Sequence, residues 1–378
     1  MALGKNGKIG AIVAAVVVVA AGITIGSTVG KTKANIGPKD PSSADKSPVV
    51  TADTGSNAST VSGDDIIDVG DLTQIITLHT STKKNCTSTP FVVAEAKGFF
   101  EKNGIKIEYT GETTDALSAV LQGTNDFDGT LPNALATYVY GDEGEGAAIK
   151  AVTLNQVDPP ADVDPKFRHM RFYVSPKLGI TTLEELKNSD LYKNGEITIS
   201  GRAPSCSSFI PNQIFKNNGL DSKKLSFVAF DSDIAAIQAV QLGPDNLIIA
   251  GIHPPFYYLA EEEGLILLAD SADSGLGAAS GTSVFYFTDE FIESNPVAVQ
   301  RFVTAIKEAS KWTLDNEEEA IALTEAYIEK AINAVHYYYS GDGFPVELID
   351  PWIKDLEESG ALPVGAITVA DLTAPQFK

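Results

Sequence analysis

Asp115-Ala-Leu-Ser-Ala-Val-Leu-Gln-Gly123, running into Asp126-Phe-Asp-Gly-Thr-Leu-Pro132, is a pattern that returns about 120 residues later. The second copy is Asp233-Ile-Ala-Ala-Ile-Gln-Ala-Val-Gln-Leu-Gly243, running into Asn246-Leu-Ile-Ile-Ala-Gly-Ile-His-Pro-Pro255. Each copy reads as a short helix closed by Gly, a turn, a buried strand, and a Pro-containing loop that opens the next helix. In parallel α/β sheets ligands gather at the loops beyond the carboxyl ends of the strands. Two such units predict two lobes, each offering a ligand loop to a shared cleft.

Strand and helix signals alternate on both sides of these units. Ile75 to Thr80 is a β-branched strand, Pro90 to Asn103 a helix with an apolar stripe, and Lys106 to Thr110 a strand. Ile149 to Asn155 is a further strand, and Arg171 to Ser175 reads as the crossing into a second lobe. There, Glu196 to Ser200 and Leu225 to Phe230 are strands, with a helix from Cys206 to Asn218 between them. Leu265 to Ala269 leads back, Ser283 to Phe287 is a strand, and Pro296 to Trp312 and Glu317 to Ile332 are long helices. Alternation of this kind calls for an α/β fold with mostly parallel sheets flanked by helices. The expected organisation is a membrane anchor or signal segment over 1–30, a linker over 31–71 and a first lobe over 72–172. A second lobe follows over 173–272, and 273–378 returns to the first lobe with C-terminal helices.

The N-terminal segment stands apart from the fold. Ile9 to Val29 is uncharged and rich in Ala, Val and Gly, and its length matches a membrane-spanning helix better than a signal-peptide core. Either reading exports the rest of the chain, held at the cell surface by the segment or secreted. Lys31 to Asp71 has no aromatic residue and cannot bury enough apolar area to offset its ordering entropy, so it reads as a tether. Asn57-Ala-Ser59 within it is a glycosylation sequon. A net charge of −22 excludes nucleic acid as a partner, because its phosphates would be repelled. It does not exclude a small anion, since salt screens the bulk field within about 10 Å.

Ala94-Glu-Ala-Lys-Gly-Phe-Phe-Glu-Lys-Asn-Gly-Ile-Lys-Ile-Glu108, Ile180-Thr-Thr-Leu-Glu-Glu-Leu186 and Asp289-Glu-Phe-Ile-Glu-Ser-Asn-Pro296 with Val299, Phe302 and Ala305 occur in this order. Together they resemble the solute-binding proteins of nitrate, sulfonate and taurine ABC importers, with their thiamine-precursor relatives. The resemblance covers roughly residues 73 to 335. It implies a type II periplasmic-binding-protein fold with two α/β lobes and an interlobe cleft, partnered by permease and ATPase subunits. No catalysis, cofactor or metal is expected.

Four loops supply the candidate ligand residues. The first, from Thr82 to Thr89, contributes Lys84, Asn85, Cys86 and Thr87 just before a helix whose amino end favours an anion. The second contributes Thr130, Leu131 and Pro132, with Asn133 expected to cap the next helix. The third runs from Ser200 to Ser208 and contributes Arg202, Ser205, Cys206, Ser207 and Ser208. Arg202 can grip a sulfonate, carboxylate or phosphate through two parallel hydrogen bonds. In the fourth, the resemblance puts His253 in the cleft wall. Thr282 and Ser283 add hydroxyls from the return to the first lobe. Tyr337 to Tyr339 could stack on a planar ligand or simply pack.

Cys86 and Cys206 are the only cysteines, and both fall in these loops. Three readings stand: a disulfide, two thiols facing a soft ligand or a metal, or small space-fillers at helix starts. The expected function is capture of a small organic anion of the sulfonate type for an ABC importer. A pyrimidine-type ligand is the alternative within the same class. A pyrimidine-synthesising enzyme lacks its cysteine-rich cluster here, and a surface sensor would need a partner protein.

Overall fold

The structure is a computed structural model, and it describes residues 67–378 apart from 86, 142 and 143. The anchor, the sequon and nearly all of the linker therefore lie outside the described residues. Among the described residues no helix is long and apolar enough to cross a membrane.

The first elements are β1 (Ile76–Thr80), α1 (Thr89–Ala96), α2 (Phe99–Lys102), β2 (Ile105–Tyr109), α3 (Ala116–Leu121), β3 (Phe127–Thr130), α4 (Pro132–Tyr140) and β4 (Ile149–Leu154). Next come β5 (Arg171–Val174), α5 (Leu183–Asn188), α6 (Asp190–Asn194), β6 (Ile197–Ser200) and α7 (Cys206–Asn217). They are followed by β7 (Leu225–Val228), α8 (Asp233–Leu242), β8 (Ile249–Ile252), α9 (Tyr257–Glu262) and β9 (Ile266–Asp270). The chain closes with β10 (Val284–Thr288), α10 (Asp289–Ser294), α11 (Pro296–Asp315), α12 (Glu317–Ile328), α13 (Val346–Ser359) and α14 (Val369–Leu372).

The expected first helix is two. Gly98 sits in the left-handed region with φ of 73° and ends α1, so Phe99 and Phe100 start α2 at a new angle.

One strand order is used twice. The second lobe runs β7-β6-β8-β5-β9, with β6, β7 and β8 parallel and β5 antiparallel to both β8 and β9. In the first lobe β1 pairs with β2 in parallel, while β10 lies antiparallel between β3 and β4. The Asp126 N–H donates to the His79 carbonyl at 2.8 Å, and Thr80 Oγ1 donates to the Phe127 carbonyl at 3.2 Å, which sets β1 beside β3. The spatial order is then β2-β1-β3-β10-β4. In each lobe the antiparallel strand is the one that arrives from the other lobe. The two copies of the sequence pattern are the helix and third strand of each lobe, α3–β3 and α8–β8.

Each lobe has its own core. In the first, Phe302 of α11 meets Phe127 of β3 at a centroid distance of 4.5 Å, with Phe100, Phe285 and Phe287 around it. Burial of each such ring contributes about 1.5–3 kcal/mol. Beside it, the buried Arg301 donates to the carbonyls of Val69, Asp71, Gln74 and Gly104, so the chain is tied to this lobe from its first described residues. In the second lobe Phe209, Ile210, Ile214 and Phe215 of α7 pack on β5, β6 and β8.

The crossings form a buried polar seam. Asp158 accepts from the His169 N–H at 2.7 Å and the Ser271 hydroxyl at 2.6 Å, with Arg168 Nη1 at 3.3 Å. Burial pushes the Asp158 carboxyl up to about 6, against these three donors, which favour its charged form. Gly281 is required here, because a Cβ would lie 2.5 Å from the Asp158 nitrogen. A third strand of chain joins the seam, with Tyr338 bridging Gln156 antiparallel. Beyond it, α13 lays Leu348 and Ile349 against the first lobe and Trp352 against the second.

Candidate functional site

A cavity of about 790 Å³ opens between the lobes at the carboxyl ends of β1, β3, β6, β7 and β8. Its wall includes Lys84, Asn85, Thr87, Thr130, Leu131, Arg202, Ser205, Cys206, Ser207, His253 and Ser283, so loops far apart in sequence meet in one place. Pro132, Ser208 and Thr282 stand behind this wall. Pro132 is the first residue of α4, and Ser208 is buried and accepts from the Ser205 N–H at 3.3 Å. Thr282 is fully buried with no partner for its hydroxyl. Cys86 lies outside the described residues.

The two lobes build their helix starts alike. Ser88, before α1, donates its hydroxyl to the Lys83 carbonyl at 2.7 Å. Ser205, before α7, donates its hydroxyl to the Arg202 carbonyl at 2.5 Å. The Ser88 hydroxyl thus turns to its own loop instead of capping its helix, whereas Ser205 also forms a capping box with Ser208 at the start of α7. Gly201 lets the second loop fold this tightly, because a Cβ there would lie 2.6 Å from the Ser207 carbonyl oxygen.

The cations differ from the sequence expectation. Lys83 pairs with the buried Asp128 and reaches the Gly129 carbonyl at 3.2 Å. Lys84 meets Glu329 at 3.0 Å. Both lysines are engaged by carboxylates of the chain, which a sequence cannot show when the partners are 45 and 245 residues away. Arg202 has no carboxylate partner among the described residues. Asn133 is not the cap of α4, because it is the second residue of that helix, although its Oδ1 accepts the Ala134 N–H at 2.8 Å. It crosses the cleft instead, and its Nδ2 donates to the Ser205 carbonyl at 3.2 Å.

Among the described residues Cys206 is a free thiol, and the disulfide reading with Cys86 lies outside them. The Cys206 Sγ is 3.6 Å from His253 Nε2. The other nitrogen of that ring, Nδ1, faces Asp233 at 3.0 Å, and Asp233 also accepts the His253 N–H at 2.8 Å. Burial acts to raise the Asp233 carboxyl, but the imidazole and its hydrogen bonds hold it below the usual range. His169 and His336 complete a group of three rings, with centroids 5.0 Å apart for that pair and 5.6 and 6.0 Å from His253. Burial, and then the neighbouring rings, push both His169 and His336 well below the ordinary histidine range, so they are neutral.

The sequence reading missed part of this wall. The loop Ala229 to Asp233 after β7 lines it, and its position beyond a strand end was the available signal. Phe91, Phe230, Phe256 and Tyr327 line it too, whereas Tyr337 to Tyr339 do not. Tyr338 is buried in a small cluster with Ile328 and Val335. His169 and His336 carry no local signal, because each is single in its segment and only the crossings bring them to His253.

Two α/β lobes of one strand order, exchanging a strand and enclosing a cleft, define a periplasmic-binding-protein fold. The comparisons with known proteins agree. Residues 85–161 match the family described as NMT1/THI5 like, which is the resemblance read in the sequence. The chain is similar to the periplasmic aliphatic sulphonate binding protein SsuA from Escherichia coli at 18% identity, over 80% of this chain and 93% of that one, with a TM-score of 0.60. It is similar to the periplasmic nitrate-binding protein NrtA from Synechocystis PCC 6803 at 12% identity, over 80% and 87%, with a TM-score of 0.60. The Candida albicans CA3427 product, described as having the generic periplasmic binding protein fold, is 13% identical over 76% and 92%, with a TM-score of 0.54. Comparison with curated proteins finds no match.

Proposed function

We propose that this protein is the extracytoplasmic substrate-binding component of an ABC importer and takes a small organic anion of the sulfonate type into the interlobe cleft. The observation that carries this reading is Arg202: it lies in the wall of the cleft, in the loop that leads into α7, with no carboxylate partner among the described residues. A guanidinium so placed, with helix N–H groups beside it, suits an oxyanion group. The size of the cleft favours an organic anion over a bare oxyanion. The binding proteins for sulphonate and nitrate named above point the same way. Permease and ATPase subunits are the partners of such a component, and the N-terminal apolar segment would hold it at the membrane. The protein acts by binding, without turnover.

A second reading has its own support. Phe91, Phe230, Phe256 and Tyr327 in the wall suit a flat heteroaromatic ligand such as a pyrimidine.

Thermal unfolding against alkanesulfonates, nitrate, bicarbonate and pyrimidines separates the two. A ligand at a hundredfold over its Kd stabilises by roughly 2.7 kcal/mol. Stabilisation by sulfonates supports the first reading, and stabilisation by pyrimidines alone replaces it with the second. No stabilisation by any member of the panel counts against both.

A further inference from the structure

Three side chains with metal-ligand chemistry converge at the floor of the cleft. They come from three separate places: His169 just before β5, Cys206 at the start of α7, and His253 at the end of β8. One donor atom from each lies within 4.8 Å of the others. All three residues belong to the wall of the cavity.

The details are those of a ligand set. Zinc–sulfur and zinc–nitrogen bonds of about 2.3 and 2.0–2.1 Å at a tetrahedral angle put the two donor atoms about 3.6 Å apart. Cys206 Sγ and His253 Nε2 stand at 3.6 Å. Asp233 occupies His253 Nδ1, the carboxylate–histidine arrangement that fixes a ring and directs its other nitrogen to a metal. Gln156 does the corresponding task for His169, with its amide 3.1 Å from Nδ1. The Gln156 Oε1 and His169 Nε2 atoms are both buried without a partner. Turning that amide so that its oxygen accepts from Nδ1–H leaves the lone pair on Nε2.

A purely structural role leaves these atoms unexplained. His169 and His336 are 2% and 1% exposed, and three of their four ring nitrogens have no hydrogen-bond partner. Buried polar atoms are nearly always satisfied, and orphaned ones mark strain, function or an absent ion. We propose that the cleft floor is a transition-metal site, in which His169 Nε2, Cys206 Sγ and His253 Nε2 hold a zinc-class divalent cation. The fourth position is left to the cleft. Two imidazoles and a thiolate select this class over calcium or magnesium, which take oxygen ligands. His336 borders the site from the third crossing, and Asp233 is a positioning residue. The inference is independent of the anion reading, because it rests on different side chains.

The test is titration of the untagged, chelator-treated full chain with cobalt(II), followed by zinc(II). One equivalent of cobalt is expected to give a thiolate-to-metal charge-transfer band and the visible bands of a four-coordinate site, both bleached by one equivalent of zinc. Cys206→Ser is expected to abolish the charge-transfer band while Cys86→Ser keeps it. Asp233→Asn is expected to weaken binding 10- to 100-fold, as outer-shell partners do. Circular dichroism and thermal unfolding of each variant separate lost ligands from lost fold, and His79→Ala serves as the histidine control. Absence of a charge-transfer band in the wild type, or its persistence in folded Cys206→Ser, overturns the assignment. Anion titration of the metal-free chain reports separately on the receptor reading.

Discussion

Trp352 of α13 stacks on Phe209 of α7 with ring centroids 3.9 Å apart, and its indole N–H donates to the Ala279 carbonyl at 2.8 Å. A residue near the C-terminus thereby fills the core of the second lobe, while its own helix also packs on the first through Leu348 and Ile349. Asp355, one turn on, accepts from Gln213 and Lys216 of α7. Helix α13 is therefore a strap that packs on both lobes.

Trp352→Ala removes a fully buried indole and is expected to cost about 3–5 kcal/mol, measured by urea denaturation. Trp352→Phe keeps the stack and should lose much less. Equal stability of wild type and Trp352→Ala would show that the strap does not hold the second lobe.

Lys83 is the cation of Asp128, whose side chain is 2% exposed. Lys83→Met leaves that carboxylate without its charged partner and should destabilise by about 1.5–3 kcal/mol. Adding Asp128→Asn should recover part of the loss. If Lys83→Met unfolds at the wild-type urea midpoint, the lysine does not neutralise Asp128 and is free to meet a ligand.

Gly201→Ala puts a Cβ against the Ser207 carbonyl oxygen. The loop carrying Arg202 must then shift, so affinity for the anion is expected to fall at least tenfold with the far-ultraviolet dichroism unchanged. Unaltered affinity in this variant would remove the loop from the binding account.

Asn133 spans the cleft to the Ser205 carbonyl. Loss of that bond in Asn133→Ala should favour separated lobes, seen as a larger radius of gyration by small-angle scattering before ligand is added. An identical scattering curve would mean the bond does not influence the lobes.

What the sequence disclosed follows from how local each signal is. The two copies of the helix–strand pattern were readable because Gly123 and Gly243 end their helices and the apolar strands follow within a few residues. The order of strands was not, since β5 and β10 enter the sheet of the opposite lobe and only tertiary packing decides that. The C-terminal helices were expected without bounds, and α13 has no clean local signal, since Pro345 stands at its cap and Pro351 within it. In the cavity wall, Arg202 and Cys206 were expected from their loop and His253 from the family resemblance. His169 and His336 were invisible, because nothing near them in sequence foretells a three-ring cluster. Lys84 was readable as a cation but not as one already paired with Glu329.

Isothermal titration calorimetry of the metal-free full chain with a short alkanesulfonate, beside Arg202→Ala, tests the central claim most directly. One site per chain is expected, with a loss of at least tenfold in Arg202→Ala, since a charge-assisted hydrogen bond contributes about 1.5–3 kcal/mol. Binding of equal strength in the two proteins, or no binding of any sulfonate by the folded wild type, would contradict it.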